Sequence, residues 1–246
     1  MTILNWYVSI INILIGGEFM NLAKHDEYKN LNMKDYVYNV LKENIMNLSL
    51  KPGTPLRKKE IAKEFGVSRT PIREAFVKLK EEGLIDVYPQ KGTFVSYIDL
   101  DKVQEAKFMR EALEIKIVEL ACDIFPEEKM FDLEANLQIQ KVSLKQNNYQ
   151  KLFEYDNEFH EMLFAGCNMA NIWTAIEQLS THLNRMRMLS LSADFNRSDV
   201  IGDHQKIINA IENRDPKKAK KTMESHISRI QFDQEKLKRD YPDYFV

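Results

Sequence analysis

Asp156 and His160 stand four residues apart in LFEYDNEFHEMLF, on the stripe that carries Leu152 and Leu163. A helix through this stretch therefore turns a carboxylate and an imidazole toward its apolar side. His204 shares a face with Ile207, Ile208 and Ile211, and His226 shares one with Ala219 and Met223. A carboxylate buried without a partner is strongly disfavoured, so something positive should meet Asp156. A divalent metal held by Asp156, His160, His204 and His226 would satisfy all four groups at once. Three nitrogens and one oxygen suit Zn²⁺ first, and Ni²⁺, Mn²⁺ or Fe²⁺ as well. The plainer reading makes each histidine a hydrogen-bonded core residue, and the residues alone leave both open. His25, in a polar leader, and His182, with no acidic partner at helical spacing, are not candidates.

A second chemistry is written in RKKEIAKEFGVSRTPIREAFVKLKEEGL, from Arg57. Two short amphipathic helices are split at Gly66-Val67, where glycine supplies the positive φ of a tight turn. Ser68 is placed to cap the second helix, and Pro71 is tolerated in its first turn. Ile72, Ala75, Phe76 and Leu79 form the inward face, which leaves Arg69, Thr70 and Arg73 outward at the N-terminal end. In the major groove of DNA an arginine there can give two parallel donors to guanine, while Ser68 and Thr70 suit phosphate oxygens. Gly83 stops the helix. Leu84 to Tyr88 and Thr93 to Tyr97 then read as a hairpin turned at Pro89 to Gly92, with Lys91 at its tip. The sum is a winged helix-turn-helix.

Arg110 lies seven residues from both Val103 and Ile117, close to an inward face, where a guanidinium needs an anion. It is the first candidate to hold an acidic small molecule; a local pair with Glu114, one turn on, is the competing reading. Arg187, near Leu179 and Leu183, is a second candidate. Phe153, Phe159 and Trp173 read as core.

These groups need two scaffolds. Residues 33–98 supply the DNA-reading head, opening with a helix on which Val37, Val40, Leu41, Ile45 and Leu48 recur. Residues 99–246 show only helical periodicity, which predicts an antiparallel bundle of six or seven helices near 99–124, 127–146, 149–166, 169–191, 197–213 and 216–239. The fold class is thus mainly α. Charge divides the same way: residues 20–98 hold 14 Lys and Arg against 10 Asp and Glu, and residues 99–246 hold 21 against 26. Cys122 and Cys167 have no paired spacing and read as core thiols of a reducing cytosol. Residues 1–32 read as a leader. Within it, MTILNWYVSIINILIGGEF has no Lys or Arg, and its apolar run is too short to span a bilayer. Gly16 to Met20 back-translates to a purine-rich ribosome-binding site before an ATG, so Met20 is the expected initiator, with a membrane-associating segment as the rival.

The stretch LRKKEIAKEFGVSRTPIREAFVKLKEEGLI, preceded by LKPGTPL and followed by PQKGTFV, resembles the DNA-binding domain of GntR-type bacterial regulators. The resemblance implies DNA contacts at Lys59, Ser68, Arg69, Thr70 and Arg73, with the Lys91-Gly92 wing tip in the minor groove; Lys59 stands where other members carry Arg. Residues 101–240 are similar to the effector domain of the FadR branch. DNEFH, DHQKIINAI and KKTMESHI match its Asp-x-x-x-His pair and two further histidines, which implies a bound divalent metal. Members of that branch often bind organic acids with an arginine opposite the metal, and RxxLE at 110–114 matches that region.

The function expected is a homodimeric, cytoplasmic transcriptional regulator, acting as a repressor on an inverted-repeat operator and released by a small carboxylate. One rival keeps a regulator with a purely structural metal or an acyl-thioester effector. Another is a metal enzyme fused to a DNA-binding head, since three His and one carboxylate with open positions can activate water. No HExxH is present to supply a base, and Glu158 and Glu161 point off the Asp156 face, so no catalytic residue is assigned.

Overall fold

The computed structural model of the chain describes residues 11–15, 18–22, 28, 31–193 and 197–246. It falls into two units, one reaching Ile98 and including Asp243–Val246, the other Asp99–Pro242.

In the N-terminal unit β1 (Ile11–Ile15) pairs antiparallel with β2 (Glu18–Leu22). Next come α1 (Met33–Met46), α2 (Lys58–Phe65), α3 (Arg69–Glu81), β3 (Ile85–Tyr88) and β4 (Gly92–Val95). Asn32 caps α1 by accepting from the Asp35 N–H at 3.0 Å. Gly66 ends α2 at φ 67° and Gly83 follows α3 at φ 71°, both in the left-handed region that glycine enters without a steric penalty. Val37, Val40, Leu41 and Ile45 of α1 pack with Ile72, Ala75, Phe76 and Leu79 of α3 in one core. Reading residues 1–32 as a leader does not hold at Leu22, which is fully buried in that core, with Tyr28 packed against it. The expectation for residues 1–19 turns largely on positions outside the described residues.

The wing is shorter than its apolar alternation suggests. β3 and β4 pair from Ile85 with Val95 to Tyr88 with Gly92; the Ser96 N–H still reaches the Leu84 carbonyl at 3.0 Å, but the Leu84 N–H turns back to the Leu79 carbonyl at 2.9 Å, which ends the pairing. Ser68 sits at the N-cap in extended backbone, but its side chain makes no capping bond. The hydroxyl instead remains exposed. Beyond the wing, the Ile98 N–H donates to Tyr244 O at 2.8 Å and the Val246 N–H to Ile98 O at 3.1 Å. These two bonds hold the last four residues to the N-terminal unit instead of the helical one.

Among the described residues the second unit has seven helices: α4 (Leu100–Ile124), α5 (Glu127–Lys145), α6 (Tyr149–Gly166), α7 (Ala170–Leu179), α8 (Thr181–Ser192), α9 (Arg197–Glu212) and α10 (Pro216–Asp240). Asp99 caps α4 by accepting from the Asp101 and Lys102 amides, and Asp215 caps α10 through the Lys218 amide. The single helix expected over 169–191 is two. Ser180 divides it, its hydroxyl donating to the Ile176 carbonyl at 2.7 Å, a side-chain bond that competes with the backbone ladder. The core joins Val118, Leu133, Phe159, Leu163, Trp173, Ile207, Ile208 and Met223. Cys122 and Cys167 are free, buried thiols that burial pushes up to about 11. Among the described residues no helix is long and apolar enough to cross a membrane.

Candidate metal centre and nucleic-acid interface

All seven helices of the second unit send side chains toward one buried cluster. α6 brings Asp156 and His160, α9 His204 and α10 His226, each buried, with one ligand atom from each lying within 4.8 Å of the others. His204 Nε2 lies 3.7 Å from Asp156 Oδ1, His160 Nε2 3.9 Å from Asp156 Oδ2, and His226 Nε2 3.3 Å from His160 Nε2. The four positions singled out in the sequence thus converge.

The surroundings fix which ring nitrogens face inward. Gln140 on α5 donates its amide to Asn136 Oδ1 at 2.7 Å and to the Tyr155 carbonyl at 3.2 Å, so its oxygen is the atom 2.9 Å from His204 Nδ1. Nδ1 must then carry the proton, leaving the Nε2 lone pair pointing at the cluster with no hydrogen-bond partner. His160 Nδ1 lies 2.5 Å from Glu114 Oε2, a close polar contact that falls short of hydrogen-bond geometry, and its Nε2 faces the cluster. Burial drives the His204 imidazole down to about 3, and burial followed by the nearby His204 holds His226 well below the usual histidine range, so both are neutral near pH 7. Burial, the largest single influence, would raise the Asp156 carboxyl, but Arg187 and the neighbouring imidazoles together keep the group well below the usual carboxylate range. Neutral imidazoles, an ionised carboxylate and an unpartnered inward nitrogen form a donor set that fits a divalent cation. Phe159 stacks on His204 at 4.0 Å between ring centroids and Trp173 faces His160 at 6.0 Å, so each ring is packed against an aromatic neighbour.

The two arginines meet different carboxylates. Arg187 on α8 donates through Nη2 to Asp156, with Nη1 on Asn157 Oδ1 at 2.7 Å and Asn184 Oδ1 at 2.8 Å. It is the positive partner that Asp156 required. A continuous helix would put Leu179, Leu183 and Arg187 on one face; the break at Ser180 leaves Leu179 exposed while Leu183 and Arg187 turn inward. Arg110, 1 % exposed, donates from Nε to Glu114. The local pair is therefore the arrangement formed, but buried instead of solvated. Glu114, Gln140 and Asn136 were outside the sequence candidates; the four-residue spacing of Arg110 and Glu114 was the available signal. His182 has a role away from the cluster, where its Nδ1 accepts the Asp99 N–H at 3.1 Å.

On α3 the chemistry faces outward. Ser68, Arg69, Thr70 and Arg73 are all exposed, as are Lys59 on α2 and Lys91 and Gly92 at the wing tip, over a backing of buried Ile72, Ala75, Phe76 and Leu79. Lys58, Lys59, Arg69 and Arg73 line an open depression of about 400 Å³. Lys58 is an addition to the sequence candidates; its Nζ lies 5.3 Å from the Phe76 ring, at the edge of the apolar backing.

Residues 33–95 match the family described as "Bacterial regulatory proteins, gntR family", and residues 105–229 match the FCD domain. The chain is 32 % identical to the HTH-type transcriptional repressor RspR of Escherichia coli (strain K12), over 85 % of its own length and 92 % of the relative's. It is 29 % identical to the gluconate operon transcriptional repressor of Bacillus subtilis (strain 168), over 71 % and 74 %. Among solved structures, E. coli McbR/YncC superposes with a TM-score of 0.70 at 21 % identity, covering 84 % of this chain and 99 % of that one, which supports the fold. These relatives are regulators and not enzymes. The chain is a DNA-binding transcriptional regulator of the GntR family, built from a gntR-type helix-turn-helix unit and an FCD domain.

Proposed function

We propose that this regulator is a cytoplasmic repressor of the FadR branch, acting as a homodimer on an inverted repeat and released by a small carboxylate at a metal centre. A single recognition helix reads few base pairs, whereas two related by a twofold axis read a longer site in register. Arg69 and Arg73 would donate to base edges; Lys59, Ser68 and Thr70 would hold phosphates, with Lys91 and Gly92 reaching the minor groove. Asp156, His160, His204 and His226 would hold the metal, with Zn²⁺ the first choice and Ni²⁺, Mn²⁺ or Fe²⁺ compatible. When bound, the ion supplies a Lewis-acid position that a carboxylate oxygen can occupy.

The observation that carries this reading is the convergence of three imidazoles and one carboxylate, two of the rings backed by Glu114 and Gln140. Of the two arginines, Arg187 is the better placed to meet an effector anion: it borders Asp156 and retains some exposure, whereas Arg110 is held by Glu114. A carboxylate that drew Arg187 from Asp156 would bias α8, and a differential affinity of about 1–3 kcal/mol between two conformations suffices for control. A second reading, a purely structural metal, draws on the fact that both arginines already have carboxylate partners. Thermal-shift screening of organic acids with and without chelator separates the two. Acid-dependent stabilisation that vanishes with chelator supports the effector reading, and stabilisation by metal alone supports the structural one. Elemental analysis finding no metal in the purified protein would remove both.

A further inference from the structure

Glu114 touches two groups at once. Oε1 accepts from Arg110 Nε on the same helix, and Oε2 lies 2.5 Å from His160 Nδ1 across the α4–α6 interface. Glu114 and His160 are both essentially without solvent contact. Within the chain Arg110 bonds through Nε to Glu114; its Nη2 has no hydrogen-bond partner and its guanidinium lies over the Trp173 ring at 5.6 Å. We infer that Glu114 is a positioning residue for the metal centre, holding His160 as the Nδ1–H tautomer with Nε2 toward the ion, and that Arg110 serves it as counter-ion.

The inference rests on reading the Asp156 and histidine cluster as a metal centre. Its physical content is geometric. A carboxylate already taken by a guanidinium has an oxygen left that can only accept, so the ring nitrogen against it must donate. The opposite nitrogen then keeps its lone pair, and it is that nitrogen which faces His226 and Asp156. Gln140 does the same for His204 with a neutral oxygen, whereas His226 Nδ1 has no hydrogen-bond partner. Outer partners of this kind typically carry a 10–100-fold effect on metal affinity.

Removing Glu114 alone would strand the Arg110 charge in the core, so the test removes both charges together. Two full-length double variants are compared with the parent: Arg110→Met with Glu114→Leu, and Arg110→Met with Glu114→Gln. Zn²⁺ affinity is read by competition with a chromophoric chelator, and the His160 tautomer in the metal-free protein by ¹⁵N-resolved imidazole spectra. The leucine variant should lose roughly 10–100-fold in Zn²⁺ affinity, while the glutamine variant, which keeps an acceptor oxygen, retains most of it. His160 should be the Nδ1–H tautomer in the parent and a mixture in the leucine variant. Equal Zn²⁺ affinity in the parent and the leucine variant overturns the inference and leaves the metal centre standing. A parent that fails to bind Zn²⁺ removes both. Should either variant not fold, the parent's spectrum still decides: an Nε2–H tautomer at His160 overturns the assignment.

Discussion

The outward face of α3 and the interior of the helical unit both depend on arginine, for opposite reasons. Arg69 and Arg73 are exposed, so their charge remains hydrated and available to an anionic groove. Arg110 and Arg187 are each committed to a carboxylate inside a core, where the pairing offsets a large desolvation penalty. Changes on the first surface should therefore appear in binding with little effect on folding. Changes in the second should appear in folding and metal content before they appear in anything else.

Asp156→Ala probes the interior hardest. It removes the oxygen donor and leaves Arg187 beside neutral imidazoles, which should cost about 3–5 kcal/mol of stability in the metal-free protein. Denaturant titration after chelation measures it, and a loss under about 0.5 kcal/mol would place this residue with the surface class. Next comes the metal itself: Zn²⁺ at a thousandfold excess over Kd should raise stability by about 4 kcal/mol, and His204→Ala should abolish that increment. An increment of equal size in the variant would mean the ion binds elsewhere. On the other side of the comparison, Arg73→Ala should cost about 1–3 kcal/mol of preference for the operator over random DNA. Its melting curve should stay with that of the parent. A shift in melting with intact discrimination would reverse the contrast.

The two regions were unequally legible from sequence for the same physical reason. The DNA-reading head is a local object: Gly66, the N-cap at Ser68, the 72, 75, 76, 79 stripe and Gly83 lie within one contiguous run, and each element follows from its neighbours. The candidate metal cluster is assembled from α6, α9 and α10, and its four residues were marked by polar groups on apolar stripes and by the family resemblance of DNEFH, DHQKIINAI and KKTMESHI. The residues behind them were harder. Glu114 sits four residues from Arg110, a spacing that reads as a solvated pair until the burial of α4 is known. Gln140 is an amide with no charge to flag it. Arg187 stands in the sequence on the face of Leu179 and Leu183; Ser180 breaks that helix, so Arg187 turns inward with Leu183 while Leu179 is exposed.

A smaller effect tests whether the head contains an interior of its own kind. Tyr38 on α1 is 5 % exposed; its hydroxyl donates to Glu82, and Lys42 pairs with the same carboxylate at 2.7 Å. Lys78 lies 3.6 Å from the Tyr38 ring centroid. Burial, and then the bond to Glu82, push the phenol up to about 12 from an ordinary value near 10. Because the folded value is the higher one, this contribution is complete below pH 10 and is lost as pH rises toward 12. Tyr38→Phe should cost about 1 kcal/mol at neutral pH, since Glu82 keeps Lys42 when the hydroxyl leaves. It should also flatten the decline in stability between pH 10 and 12. If the variant declines as steeply as the parent across that window, the hydroxyl is not the group that titrates, and the head's stability owes nothing to this bond.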